Sequence, residues 1–360
     1  PIVDGCPATS TDEVQYPLEV TYEYDAVDPA LFDQPPLPGL DRWAPLLPPL
    51  ADGVDLGAGG TRLVAAPDLA ETVGFDGALH LKDESANPTW SHKDRLAAPT
   101  VGAAVARDAS GGVVSATGNH GASVAAHAAR AGLPCVVFTS RDLPDSMARF
   151  LDAYGAAVAK VPRERRWECM RRVRDELGYV PTSNLTPTHT GHPFGPEGYK
   201  TIAYEIHAQL DGVPGSVLVP TGYAELLYGV WKGFRELREL GIVDRAPEMV
   251  ACEPAARAPL SAALERDAPA VTVDAAPTDA SSIGVTVNGY RGVRAVRESG
   301  GRAHALSDAA IERAQERLAA VGYWQELSGA AGLAGLAAAV AADDPLPGPA
   351  VAVCCSSGFK

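Results

Sequence analysis

The segment at residues 87–95, Asn-Pro-Thr-Trp-Ser-His-Lys-Asp-Arg, contains a lysine in an unusual place. Ser91 and Asp94 have the spacing of a helix capping box, with Asp instead of the usual Glu, which places Lys93 in the first turn of a helix. The positive end of the helix dipole disfavours a second positive charge there. If the amine is partly buried, its pKa is lowered, as a lysine that forms a Schiff base requires. The alternative interpretation is a solvated lysine beside a helix start.

A second segment, residues 115–121, combines hydroxyl, glycine and amide groups. Its sequence is Ser-Ala-Thr-Gly-Asn-His-Gly, and it lies between a predicted strand and a predicted helix. Hydroxyl groups and the free N–H groups of a helix start form a nest that suits a carboxylate or a phosphate. Asn119 adds an amide that can donate to an oxygen. Since some glycine-rich turns serve only close packing, this segment alone leaves both interpretations open.

Alternating strand and helix patterns must position these two segments. Short apolar strands are predicted at residues 111–115, 134–139, 156–161, 216–220, 247–252 and 350–355. Helices are predicted at residues 122–131, 145–154, 164–177, 226–240, 307–321 and 330–342. Such alternation predicts parallel sheets with helices on both faces and a cleft at the carboxyl ends of the strands. Two α/β units, separated near residues 190–200, follow an irregular Pro-rich arm at residues 1–60.

The composition excludes several classes of protein. The chain has 360 residues, with 30 Lys+Arg and 45 Asp+Glu, so the formal net charge is −15. That charge argues against a broad surface for nucleic acid or an anionic membrane, and 46% hydrophobic residues exclude a disordered chain. The longest apolar stretch, residues 330–342, is too short to span a bilayer. With no secretory signal and six scattered cysteines that suggest neither a disulfide framework nor a zinc site, we expect a cytoplasmic protein.

Taken together, the two segments resemble the pyridoxal-phosphate enzymes of fold type II, and within them the threonine synthase-like members. Lys93 stands in N-P-T-x-S-x-K-D-R, and Asn119 follows in S-x-T-G-N-H-G. Four weaker similarities follow in family order at residues 192–201, 220–234, 296–301 and 324–331, so the resemblance covers residues 75–360. It implies two doubly wound parallel-sheet domains with the cofactor in the cleft, as in the beta subunit of tryptophan synthase.

The predicted division of the chain follows this fold. Residues 1–60 form an arm packed on a large cofactor-binding domain made of residues 61–95 and 195–360. Residues 96–194 form a smaller domain that gates the substrate. The resemblance implies an amino-acid substrate, and because this fold usually dimerises, we expect a homodimer.

The resemblance assigns a role to each matching residue. Lys93 would hold pyridoxal 5'-phosphate covalently and later move protons between Cα and Cβ of the substrate. Asn119 would hydrogen-bond the phenolic oxygen of the cofactor, and Cys355, with Ser356 beside it, would face the pyridine nitrogen. A neutral group there favours elimination or replacement over transamination. The cofactor phosphate would lie against Gly222, Tyr223, Ala224, Glu225 and Leu226, and the substrate carboxylate against Ser115, Thr117, Gly118 and His120.

Two departures from the family pattern bear on the function. Tyr223 and Glu225 stand in a loop that is rich in Gly and Asn in the family. A carboxylate repels a nearby phosphate, so Glu225 must point away or the loop must bind the phosphate differently. Gly195 stands where the family has an arginine that helps to hold the phosphate of the substrate. We therefore expect β- or γ-elimination or replacement on an amino acid with a leaving group, other than O-phosphohomoserine.

Other interpretations stay open. One is replacement on a serine derivative, as in cysteine and cysteate synthases, and another is a binding protein on the same fold that has lost catalysis. We interpret His189 and His192 as a loop pair at the substrate rather than a metal site, because two prolines flank them and no carboxylate is close. Trp90 replaces a small residue of the family and either narrows the pocket or only packs.

Overall fold

Strands and helices alternate along most of the chain in the computed structural model, which describes residues 2–33, 35–116, 118–185 and 191–359. The strands are β1 Leu63–Ala65, β2 Leu79–Asp83, β3 Gly112–Ser115, β4 Cys135–Thr139, β5 Ala157–Lys160, β6 Val180–Pro181, β7 Ser216–Pro220, β8 Glu248–Pro254, β9 Arg302–Leu306 and β10 Ala350–Cys354. The helices are α1 Pro67–Val73, α2 Lys93–Val105, α3 Asn119–Arg130, α4 Asp145–Ala153, α5 Arg166–Leu177, α6 Gly195–Leu210, α7 Glu225–Glu239, α8 Pro259–Glu265, α9 Tyr290–Glu298, α10 Asp308–Ala320 and α11 Ala331–Ala341.

The strands form two sheets. The larger sheet has six strands in the order β1-β2-β10-β7-β8-β9, and the smaller has four in the order β5-β4-β3-β6. Within the described residues, every strand pair is parallel except β1 with β2. Strand β10 lies between β2 and β7, where Cys354 pairs with Asp83 and Ala350 pairs with Ser216. The carboxyl ends of β2, β7 and β10 therefore lie side by side.

Both faces of each sheet are covered. In β10, Val353 belongs to the core that includes α6, α7 and α9, whereas Cys354 belongs to the core that includes α1, α10 and α11. In β3, Val114 packs with α2, α3 and α4, whereas Val113 packs with Met170 of α5. Parallel strands that are buried on both faces are typical of α/β folds. The predicted fold class, with two parallel α/β sheets, is confirmed.

The start of α3 differs from the predicted one by a few residues, whereas the start of α10 agrees with its prediction. Helix α3 begins at Asn119 instead of residue 122, so that Asn119 and His120 lie in its first turn. Helix α10 begins as predicted after Ser307, whose hydroxyl accepts a hydrogen bond from the Ala310 N–H at 3.3 Å. Apolar patterning therefore located many of the elements, but it missed β1, β2, β6 and β9 and the helices α1, α6, α8 and α9.

The arm before β1 contains three short 3-10 turns, at Tyr24–Ala26, Pro29–Phe32 and Asp41–Leu46. Trp43 is buried in the core of the larger sheet, and the Tyr22 hydroxyl donates to the Glu197 carboxylate at 2.8 Å. Close to the start of the chain, Val3 packs with Phe138 of the smaller sheet. The arm thus packs on the larger sheet, as expected, and also contacts the core of the smaller sheet. The predicted domain boundaries themselves stay a prediction.

Two further expectations concern the apolar stretch and the cysteines. Within the part of the chain that the structure describes, no helix is both long enough and apolar enough to cross a membrane. The apolar helix α11 instead packs in the core of the larger sheet. All six cysteines are free thiols.

Candidate active site

Lys93 is the first residue of α2, in the segment that follows β2. The Ser91 hydroxyl accepts a hydrogen bond from the Lys93 N–H at 3.3 Å. The Asp94 carboxylate, however, accepts from the N–H and the hydroxyl of Thr89, both at 2.7 Å. The predicted helix start is therefore right, but the predicted reciprocal capping box is wrong. The buried Asp94 closes the turn before the helix instead of returning to Ser91.

The neighbours of Lys93 attach the start of α2 to other elements. Asp94 also accepts a hydrogen bond from the Ser123 hydroxyl of α3 at 2.6 Å. Arg95 is wholly buried and pairs with Glu84 at 2.7 Å and with Glu205 of α6 at 2.6 Å. Although burial raises the pKa of Glu205, the adjacent cations, Arg95 foremost, lower it to about 2. A charged network that is satisfied in this way holds the backbone at Lys93 in one position.

The Lys93 amine is partly buried. Its Nζ donates a hydrogen bond to the hydroxyl of Tyr199 on α6 at 3.0 Å. Burial lowers the pKa of Lys93, while the Cys355 thiol and the carboxylates of Glu225 and Glu326 act in the opposite direction. An amine with a lowered pKa is neutral, and therefore nucleophilic, in a larger fraction of molecules. Of the two interpretations that the sequence leaves open, a partly buried amine and a solvated lysine, the structure has the partly buried amine.

Asn119 is the first residue of α3, after the carboxyl end of β3. Its side-chain N–H groups donate to the Glu326 carboxylate at 3.1 Å and to the Ser356 hydroxyl at 3.0 Å. Ser356 is wholly buried, and its hydroxyl donates to the carbonyl oxygen of Trp90 at 3.3 Å. The amide is thereby connected to the segment after β10 and to the turn before Lys93.

Cys355 and Ser356 directly follow β10, which ends one residue before the predicted end of this strand. The Cys355 carbonyl oxygen accepts from the His92 N–H at 2.9 Å and lies 3.1 Å from His92 Nδ1. Burial raises the pKa of the Cys355 thiol well above its ordinary value, and the Glu326 carboxylate adds to the effect. The thiol therefore stays protonated and presents a neutral group near Lys93.

The loop at residues 221–224 joins β7 to α7, a helix of 15 residues that begins at Glu225. Ala224 precedes it with a φ of 64°, in the left-handed region. The Glu225 carboxylate pairs with Arg291 of α9 at 2.8 Å, and Arg291 also donates to the carbonyl oxygen of Leu18 at 2.7 Å. Arg291 thus neutralises the carboxylate that the sequence places in the phosphate loop. Glu225 remains within electrostatic reach of Lys93.

The predicted substrate-carboxylate segment is only partly described. Ser115 is the last residue of β3, and its N–H donates to the Ser183 hydroxyl at 3.1 Å. Gly118 directly precedes α3, and His120 is the second residue of that helix. Thr117 lies outside the described residues. The described members therefore line one strand-to-helix connection beside Asn119.

The side chain of Trp90 contacts a helix that packs on the smaller sheet. Its backbone φ is 61°, an uncommon value for a residue with a side chain, and the residue is 48% exposed. The indole ring lies 6.0 Å from the ring of Phe150 on α4, between centroids. Both interpretations of Trp90 are compatible with this position, since the ring packs on one side and is open to solvent on the other.

His192 is buried, and its partner in the sequence analysis, His189, lies outside the described residues. His192 Nδ1 accepts a hydrogen bond from the Phe194 N–H at 3.1 Å, which leaves the proton on Nε2. Within the described residues, that buried Nε2 has no hydrogen-bond partner. Burial, together with the positive charges of Arg107 and Arg291, lowers the pKa of His192 to about 3. The imidazole is therefore a neutral donor.

Gly195 is the first residue of α6 and packs against α2. A Cβ placed on Gly195 would lie 3.0 Å from Leu96 Cδ1 and 3.2 Å from its Cγ. A longer side chain at this position fits only if Leu96 moves. Glycine at residue 195, in place of the family's arginine, therefore allows α6 to pack closely against Leu96 of α2.

Three residues at this site escape the sequence analysis. Glu326 lies in one of the segments that resemble the family, so its position carried a signal that was not used. Tyr199 likewise lies in a segment that resembles the family, residues 192–201, whereas Arg291 of α9 lies outside these segments. Only the fold brings the two residues to Lys93 and Glu225.

The groups gathered here suit an aldehyde cofactor with a phosphate. Lys93 offers an amine of lowered pKa, Asn119 offers an amide held in place, and Cys355 offers a neutral buried thiol. The start of α7 offers free N–H groups and the positive end of a helix dipole, which favour a phosphate. All four follow the carboxyl ends of parallel strands, where α/β sheets bind ligands.

Comparisons with known proteins agree with this chemistry. A family model described as a pyridoxal-phosphate dependent enzyme matches residues 54–358. Threonine synthase of Methanosarcina acetivorans is 34% identical over 351 residues, which cover 91% of this chain and 83% of that protein. Threonine synthase of Methanocaldococcus jannaschii is 33% identical over 339 residues, covering 89% of this chain and 80% of that protein.

A comparison of structures supports the fold alone. Maize serine racemase has a TM-score of 0.73 at 21% sequence identity, over 83% of this chain and 88% of that chain. Together with the family match and the two relatives, these findings confirm the predicted family and cofactor. The chain belongs to the pyridoxal-phosphate-dependent enzymes of fold type II, is threonine synthase-like, and has pyridoxal 5'-phosphate as its cofactor.

Proposed function

We propose that this protein breaks a carbon–oxygen bond, by β- or γ-elimination or replacement, in an amino acid that carries a leaving group, and that its substrate is not O-phosphohomoserine. The observation that carries the proposal is the Lys93 amine, which is partly buried, has a lowered pKa and sits on a helix start fixed by Asp94 and Arg95. When bound, the cofactor supplies the electron sink that stabilises negative charge at the substrate Cα.

The protein's own groups hold the reactants and move the proton. In this proposal, the Lys93 amine takes the proton from Cα and returns a proton on the side of the leaving group. Asn119 would hold the plane of the cofactor ring through its phenolic oxygen, and Glu326 orients the amide of Asn119. The neutral Cys355 thiol would face the ring nitrogen and leave it unprotonated, which would favour elimination and replacement over transamination.

The contact between Gly195 and Leu96 supports a substrate other than O-phosphohomoserine. A side chain at residue 195 requires a shift of Leu96, and glycine offers no guanidinium group that would hold a substrate phosphate. A buried, neutral His192 is the polar group beside that position, and a neutral donor suits an uncharged or singly charged leaving group better than a phosphate dianion. Replacement on a serine derivative is one case of the proposed reaction class.

The test is a substrate panel with the cofactor-loaded protein. O-acetylserine, O-phosphoserine, serine, threonine and O-phosphohomoserine are each supplied with and without sulfide, and 2-oxo acids, cysteine and threonine are measured. We expect turnover of O-acetylserine, serine or threonine, whose leaving groups carry no phosphate, and its loss in Lys93→Ala. Lys160→Ala is the matched control, since Lys160 is an exposed lysine at the end of β5.

The outcomes separate the alternatives. Release of 2-oxo acid indicates elimination, and cysteine formed only with sulfide indicates replacement on a serine derivative. Faster turnover of O-phosphohomoserine to threonine than of the other compounds contradicts the proposed substrate. If no compound reacts and the cofactor fails to bind, the protein is a catalytically lapsed member of the family.

A further inference from the structure

Tyr199 is the hydrogen-bond partner of the Lys93 amine. Its hydroxyl lies 3.0 Å from Lys93 Nζ, and within the described residues no other side chain or carbonyl group hydrogen-bonds that nitrogen. The ammonium group also lies 5.4 Å from the centroid of the Tyr199 ring. The contact joins the first turn of α2 to the first turns of α6, which are far apart in sequence.

The side chain of Tyr199 is held in place by the residues packed around it. Tyr199 is wholly buried, and its ring centroid lies 5.4 Å from that of His92, the residue before Lys93. On the other side, a Cβ on Gly229 of α7 would lie 2.5 Å from the Tyr199 Cβ, so only glycine allows the two helices to approach this closely. The Tyr199 ring is thus enclosed between α2 and α7 and has little freedom to move.

The hydroxyl suits both protonation states of the amine. Burial raises the pKa of Tyr199 well above its ordinary value, and the negative potential of Glu225 adds to the effect, so the phenol stays protonated. A neutral hydroxyl accepts a hydrogen bond from an ammonium group and donates one to a neutral amine. Within the described residues, its own proton has no other acceptor.

We infer that Tyr199 is a positioning residue, which holds the Lys93 amine toward the cleft whenever the amine is not bound to the cofactor. The inference rests on the proposed function, in which Lys93 is released during each turnover and must then act on the substrate proton. The side chain of a free lysine has several rotatable bonds, and a fixed partner removes the freedom that would slow its return.

The test measures how fast the apoprotein captures pyridoxal 5'-phosphate as a function of pH. In capture, Lys93 Nζ adds to the aldehyde carbon and water leaves, so the rate follows the fraction of neutral amine. Borohydride reduction at fixed times, followed by mass spectrometry, quantifies the product. Besides Tyr199, the titratable groups that face the amine are Cys355, Glu225 and Glu326, and these stay unchanged in the variant.

We expect Tyr199→Phe to shift the midpoint of the capture profile downward by about one pH unit. The ammonium form loses an acceptor, and a hydrogen bond to a charged group is stronger than one to a neutral amine, so the pKa of Lys93 falls. With the best substrate of the panel, kcat falls by about tenfold while KM changes little, because the released amine is no longer oriented.

The matched control is Tyr204→Phe, which removes a hydroxyl from an equally buried tyrosine of the same helix that bonds Glu236 instead. It should keep the wild-type midpoint, and thermal melting checks the folding of both variants. A Tyr199→Phe profile that superimposes on the wild type, with unchanged kcat, overturns the inference alone. Failure of the wild-type protein to capture the cofactor through Lys93 overturns the proposed function instead.

Discussion

Asn119 and Glu326 are joined by a hydrogen bond of 3.1 Å, although 207 residues separate them in the sequence. The second N–H of the Asn119 amide donates to Ser356 at 3.0 Å, so both amide protons are occupied. A phenolic oxygen of the cofactor can therefore accept a hydrogen bond from Asn119 only if one of these two bonds is broken. The bond to the carboxylate is charge-assisted and stronger, which makes Ser356 the partner that gives way.

We predict opposite effects for the two partners of Asn119. Ser356→Ala frees one amide proton and should leave the affinity for pyridoxal 5'-phosphate unchanged or higher. Glu326→Ala removes the group that orients the amide and should weaken binding by roughly tenfold. The cofactor Kd of each apoprotein is measured by fluorescence, with Ser357→Ala as the neighbouring control. An unaffected Glu326→Ala variant would contradict this assignment.

The ion pair between Glu225 and Arg291 predicts a gain of cofactor affinity on removal of a charge. Glu225→Gln keeps a hydrogen-bond partner for Arg291 but removes the repulsion toward a phosphate, so the Kd should fall by roughly tenfold. Arg291→Met removes the guanidinium group that pairs with the largely buried Glu225 carboxylate and should cost about 3–5 kcal/mol of unfolding free energy.

The double variant Glu225→Gln/Arg291→Met tests whether the two effects are coupled. Because the negative charge that lost its ion pair is then gone as well, most of the stability lost in Arg291→Met should return. Urea unfolding and cofactor titration give both quantities for the four proteins. Weaker cofactor binding by Glu225→Gln than by the wild type would mean that the carboxylate contributes a favourable contact.

The crowding at Gly195 predicts that the family's arginine cannot simply be restored. Gly195→Arg must displace Leu96 and should lose about 1–3 kcal/mol of stability without gaining threonine formation from O-phosphohomoserine. Gly212→Arg is the control, since a Cβ on Gly212 meets no atom within 4 Å. Equal stability of the two variants in urea would show that the Leu96 contact is not restrictive.

His192 predicts a pH dependence of stability. Its pKa of about 3 in the folded protein lies below the ordinary value of 6.5, so the unfolded chain binds a proton that the folded protein refuses. Stability from this residue is therefore full above pH 6.5 and is lost as the pH falls toward 3, by about 2 kcal/mol at pH 5. Between pH 8 and pH 5, His192→Asn should lose less unfolding free energy than the wild type, as measured by urea titrations. An equal loss in the two proteins would mean that the imidazole of His192 is exposed to solvent and has an ordinary pKa.

Local patterns in the sequence identified part of the fold. Apolar runs at residues 111–115, 216–220 and 350–355 mark three of the buried strands, and breakers mark their ends. The patterns did not identify β2, the strand before Lys93, so it was the resemblance to the family motif that assigned Lys93 to the cleft. The insertion of β10 between β2 and β7 follows from no local pattern.

Side-chain partners were beyond such patterns because they join distant segments. Lys93 and Tyr199 are 106 residues apart, and Glu225 and Arg291 are 66 apart, so no spacing rule connects them. The capping-box prediction failed for a related reason. Asp94 had a local partner available in Ser91 but binds Thr89 and Ser123 in a buried turn, where tertiary packing outweighs the helix signal.

The most direct test of this account is the position of the covalent bond to the cofactor. The purified protein is loaded with pyridoxal 5'-phosphate, reduced with borohydride, digested and examined by mass spectrometry. The account predicts one modified peptide, with the added mass on Lys93, and none in Lys93→Ala. Modification of Lys82, Lys200 or Lys232 with Lys93 untouched, or no modification of the loaded wild-type protein, would contradict it.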